Sequence, residues 1–124
     1  MQTVIFIAVF GALGCISRYF LSGWTYDKLG WAFPWGTLSV NVVGAFVIGL
    51  VMELGMLGTT LSPNLRIGLA TGFLGGLTTF STFSYETFKL LETGRFLVAF
   101  SNVIVSVAVC LLFTWLGIIF ARIL

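Results

Sequence analysis

Only ten of the 124 residues carry charge: Arg18, Asp27, Lys28, Glu53, Arg66, Glu86, Lys89, Glu92, Arg95 and Arg122. Their spacing leaves four long stretches with almost none, and such stretches are at home in hydrocarbon. A soluble domain carries charge on about a quarter of its residues; here the figure is 8%, with 59% hydrophobic. A water-soluble globule is excluded. The net charge is +2, with no His and no basic cluster, so nucleic acid has no footprint here. Spans need about 20 residues each, which leaves room only for short connections. The expectation is a single all-α integral membrane domain over residues 1–124, with four transmembrane helices at about 4–21, 36–54, 66–91 and 96–121.

The first stretch has no basic residue ahead of it and no small-residue cleavage pattern behind it, which argues for a helix and against a signal peptide. The first connection, 22–35, carries Gly30 and Pro34, with Trp24, Trp31 and Trp35 placed as an interfacial belt. The second runs through Gly58, Thr59 and Thr60 and offers Ser62 or Asn64 as the cap of the third helix. The third turns at Gly94. Across a four-helix chain the terminal amine, Arg66 and Arg122 lie on one side, and Lys28, Lys89, Arg95 and the helix-end Arg18 on the other. This near tie leaves two alternatives: one orientation set by a small bias, or insertion both ways round and an antiparallel dimer.

Cys15 and Cys110 sit in apolar stretches as small hydrophobes. Without His, a zinc site lacks its usual ligands and nucleophilic catalysis has little material. An enzyme is not expected.

The third stretch is poor lipid-facing helix. Gly68, Gly72 and Gly76 recur every four residues and mark a face for close helix packing. Thr78, Thr79, Ser81, Thr82 and Ser84 then place five hydroxyls in seven residues, interrupted by Phe80 and Phe83. Gly75 and Gly76 weaken the helix just ahead of this run. The helix is therefore expected to unwind here at mid-membrane, where broken backbone survives only inside protein or beside a polar cavity. Freed carbonyls there can hold a cation, and freed N–H groups an anion. The alternative is an unbroken helix whose hydroxyls bond back to their own carbonyls.

Asn102, Ser106, Cys110 and Thr114 form a polar stripe on the fourth stretch, and Thr37, Asn41 and Ala45 a shorter one on the second. Facing each other, they form either a narrow conducting track or a packing contact made of interhelical hydrogen bonds. Most of the 13 Phe must simply pack. Ring edges along a pore suit an anion and ring faces a cation, and sequence leaves Phe80 and Phe83 open between the two. The middles of the second and fourth stretches contain no carboxylate ring of the kind that favours cations. Arg18 can snorkel to the interface or draw anions into a vestibule. Glu86, the one carboxylate near the hydroxyl run, is expected to bond freed backbone, with proton relay as the alternative.

The segments GGLTTFSTFSYE at 75–86, GTLSVN at 36–41 and GCISRY around Arg18 resemble the Fluc (CrcB-type) fluoride channels of microbial cytoplasmic membranes, over essentially the whole chain. The resemblance implies an antiparallel dual-topology homodimer in the bacterial inner membrane, passing fluoride passively out of the cytoplasm. It implies that Phe80 and Phe83 line the pathway with ring edges and that Asn41 faces the pore. Ser81, Thr82, Ser106 and Thr114 belong to the polar route, and Arg18 to the vestibule. It further implies a structural sodium ion (Na+) at the dimer centre, on the backbone carbonyls of Gly75 and Thr78. Asn102 and Cys110 depart from the tyrosine and serine of some relatives. The main rival is a small dual-topology proton-coupled exporter, in its fluoride/proton form using Glu86.

Overall fold

The computed structural model describes residues 1–58 and 61–124, so the part of the second connection that falls on Thr59 and Thr60 lies outside the described residues. The chain is all-helical: α1 (Gln2–Leu29), α2 (Trp35–Met56), α3 (Pro63–Ile67), a π-helical segment (Gly68–Leu74), α4 (Gly75–Leu77), α5 (Phe80–Glu92) and α6 (Phe96–Ile123). Three of these, α1, α2 and α6, are long and apolar enough to cross a membrane.

The first helix ends eight residues later than the expected 21. Ser22 and Thr25, which read as loop, return their hydroxyls to the carbonyls of Arg18 and Leu21 at 2.7 Å each. Helix therefore continues until Gly30, whose φ of 80° ends it. The connection shrinks to residues 30–34, and Trp24 becomes an outward helical residue. The second and fourth helices begin and end within two residues of expectation. Of the two candidate caps of α3, Ser62 takes the role, accepting from the Leu65 N–H at 3.3 Å. Asn64 instead accepts from the Thr3 hydroxyl at 2.9 Å and ties the start of α1.

The break falls at the start of the hydroxyl run, where it is expected. Gly75 and Gly76 stay helical, and the backbone turns extended at Thr78 (φ −85°, ψ 156°) and Thr79 (φ −151°, ψ 116°). The glycines are used for contact instead. A Cβ on Gly76 would stand 2.6 Å from the Gly11 carbonyl oxygen, and one on Gly72 2.9 Å from that of Ile7. Gly68, with Phe6 and Phe10 against it, completes the expected face. The small core beneath contains Val40, Leu74 and Leu77.

Candidate functional site

The site begins where α4 stops. Helix hydrogen bonding would pair the Thr79 N–H with the Gly75 carbonyl and the Thr82 N–H with that of Thr78. Neither pair forms. The Thr79 N–H donates to Asn41 Oδ1 (2.8 Å), Asn41 Nδ2 donates to the Thr79 carbonyl (3.1 Å), and the Thr82 N–H donates to Thr79 Oγ1 (3.2 Å). One side-chain amide thus serves both backbone groups of the extended residue, while the Thr79 hydroxyl caps the new helix. Gly44 on α2 leaves room for the Thr78 methyl group, which a Cβ there would strike.

Around this break lies an open groove of about 460 Å³, and α2, the π segment, α4, α5 and α6 all line it. It unites Asn41, Gly75, Thr78, Phe80, Phe83, Ser106 and Thr114, seven of the residues singled out from sequence, together with Cys110 and Ala45. The stripes on α2 and α6 do face one common space. Thr37 and Asn102 do not join it; both are buried. Phe80 and Phe83 sit with ring centroids 5.4 Å apart and planes inclined at 43°. Phe80 is 79% exposed on the single chain.

A second space of about 380 Å³ is lined by Arg18, Thr82 and Glu86 with Cys15, Ser22 and Tyr26. Thr79 is common to both. Arg18 does not snorkel away: its Nη1 donates to the Thr78 carbonyl at 3.3 Å. Glu86 does not bond freed backbone either. Its Oε1 accepts the Tyr26 hydroxyl proton at 2.8 Å, and its Oε2 is buried with no hydrogen-bond partner. Ser81 lines neither space and is exposed on α5. Part of the hydroxyl run follows the back-bonding alternative, with Thr78 donating to the Leu74 carbonyl (2.8 Å) and Ser84 to that of Phe80 (2.9 Å).

Sequence reasoning counted Thr79 only among the five hydroxyls, and it passed over Tyr26 and Thr87. Thr79 carried a legible signal, since a Thr at the head of a helical run is a cap candidate. Tyr26 finds Glu86 across 60 positions, which no local pattern reveals. Among the described residues, no group of three His, Cys, Asp or Glu could hold a metal. Backbone oxygens are the alternative donors. The carbonyls of Gly75 and Thr78 lie at the negative end of α4 and have lost their helical partners. Such oxygens suit a hard cation. Arg18 takes one lone pair at Thr78 and leaves the second.

A sequence model of the CrcB-like (Camphor Resistance) proteins matches residues 5–118. Three similar proteins, each bearing the name fluoride-specific ion channel FluC, come from Geotalea daltonii (67% identical), Geotalea uraniireducens (66%) and Trichlorobacter lovleyi (66%). Each alignment covers 98% of this chain and 98% of the relative. Apolar helices that show so much of their surface outward, joined to a match of this extent, make this a multi-pass membrane protein, and the chain belongs to the CrcB-like family.

Proposed function

We propose that the protein is a passive, fluoride-selective ion channel and not an enzyme. The observation that carries this reading is the groove in which Phe80 and Phe83 meet Asn41, Ser106 and Thr114 beside the broken helix. The names of the relatives supply the ion. Fluoride is small and strongly hydrated, so a passage for it must replace water with fixed donors and positive ring edges. A negative interior drives the anion outward by about 2.3 kcal/mol per 100 mV. No coupled step is needed, and export by this route gives fluoride resistance.

The chain crosses the bacterial inner membrane four times in this reading, with 63–92 as the interrupted crossing. An open groove with an exposed, hydroxyl-bearing α5 calls for a cover other than lipid. A second copy in the opposite orientation supplies it, and the near tie of loop charges permits that pairing. At the centre of the pair, the carbonyls of Gly75 and Thr78 would hold a structural sodium ion, which adds fixed positive charge between the subunits. Reporter fusions to the C-terminus should be found on both sides of the membrane; a one-sided result removes the antiparallel arrangement.

The decisive experiment is efflux from proteoliposomes under an imposed potential, with fluoride compared with chloride. Fluoride should leave and chloride stay; equal leakage, or no fluoride efflux, overturns the channel. Phe80→Ile and Phe83→Ile should each suppress flux while leaving assembly intact. A fluoride/proton antiport is the second reading, favoured by the unpartnered Glu86 Oε2. Unaltered passive flux in Glu86→Gln removes it.

A further inference from the structure

One residue of the α6 stripe never reaches the groove. Asn102 is 1% exposed and, with Val40, one of the two largest fully buried side chains among the described residues. A buried amide must find partners. Asn102 Nδ2 donates to Thr87 Oγ1 on α5 at 2.8 Å, and the Ser106 hydroxyl donates to Asn102 Oδ1 at 3.2 Å. The direction of this chain is forced. Thr87 gives its single proton to the Phe83 carbonyl at 2.7 Å, and a carbonyl can only accept. Thr87 must therefore receive from the Asn102 amide nitrogen, which turns the amide oxygen towards Ser106. Ser106, whose proton is now committed inward, meets the groove with lone pairs alone.

The geometry points to Asn102 as a positioning residue that sets this polarity. It ties the turn bearing Phe83 to α6, and it makes Ser106 an acceptor. An acceptor repels a bare anion but holds a water whose second proton faces outward. Ser106 then meets the passing ion through that water. The inference rests on the fluoride-channel reading and adds to it which groups on α6 touch the ion directly and which do not.

Asn102→Asp separates this role from space filling. A neutral carboxyl reproduces both bonds, with its O–H donating to Thr87 and its C=O accepting from Ser106. A carboxylate has no proton for Thr87. Flux through Asn102→Asp, measured in proteoliposomes beside the wild type and corrected for protein-free vesicles, should fall at least about tenfold between about pH 5.5 and about pH 9, as a carboxyl that donates to Thr87 gives way to a carboxylate that cannot. The other ionisable side chains on the helices around it are Tyr85, Glu86, Lys89 and Glu92 on α5, Cys110 and Arg122 on α6 with Arg95 just ahead of it, and Glu53 on α2. The wild type carries all of them and serves as the control for their titration.

Asn102→Leu and Thr87→Val should each lower flux at every pH. Combined, they should do no more than either alone, to within about twofold, because they cut the same chain. A profile for Asn102→Asp that parallels the wild type overturns the inference. So does Asn102→Leu conducting within about twofold of wild type, additive losses in the double variant, or failure of Asn102→Asp to assemble at the acid end. A wild type that passes no fluoride removes the channel itself, whereas a conducting wild type with a pH-insensitive Asn102→Asp removes only the role of Asn102.

Discussion

The α2–α6 contact and the seat of α5 are built on opposite principles. Where α2 meets α6, Gly49 faces the Thr114 carbonyl and Gly117 faces the Phe46 carbonyl so closely that a Cβ at either position would collide with backbone. Glu53 and Arg122 close that pair at one end with a 2.7 Å ion pair. Such a joint has no adjustable part. By contrast, α5 contains no buried residue, although it carries both Phe80 and Phe83 of the groove. Polar tethers from three neighbours hold it: Asn41 at Thr79, Tyr26 at Glu86 and Asn102 at Thr87. The contrast separates a stiff frame from an element whose position is set by a few directional bonds.

Breaking the frame should have the largest effect. Gly117→Val forces a branched side chain into the Phe46 backbone, at an expected cost of about 3 kcal/mol or more, read as loss of the monodisperse peak in detergent. Asn41→Leu keeps the volume but leaves the Thr79 N–H and carbonyl without partners, at about 2 kcal/mol or more. Its denaturation midpoint should fall less than that of the glycine variant while flux is lost. Tyr26→Phe removes one bond and should cost about 1 kcal/mol, with flux reduced more than stability if α5 depends on its tethers. The smallest effect is expected at Gly75→Ala, where nothing stands within 4 Å of an added Cβ. Helix propensity alone should change subunit stability by no more than about 1 kcal/mol. Any larger loss would have to come from the pairing proposed above, which cross-linking measures.

Much of this contrast was hidden in the sequence. Charge spacing exposed the apolar stretches because hydrocarbon tolerates few charges, and the glycine repeat at 68, 72 and 76 located a real contact because only glycine permits that approach. Asn41, Ser106 and Thr114 converge on one groove because they lie on stripes with helical period. What was illegible depends on distant partners. Gly75 and Gly76 look like a weak point, yet helical geometry is what lets Gly76 lie against Gly11. The chain opens just beyond them, within the hydroxyl run at Thr79, where Asn41 offers substitute partners. Arg18 and Glu86 were each given a generic fate, whereas each has a particular acceptor or donor 60 positions away.

The seven π-helical residues from Gly68 to Leu74 carry a consequence for how this chain tolerates change in length. A π-helical bulge packs more residues into a turn than an α-helix does, so it amounts to an insertion that the helix has absorbed without losing its downstream register. Removing a single codon from that interval should relax it towards ordinary α-helix and keep Thr78 and Phe80 facing as they do. The same excision between Gly75 and Phe83 has no slack to draw on and would swing every later side chain round the axis.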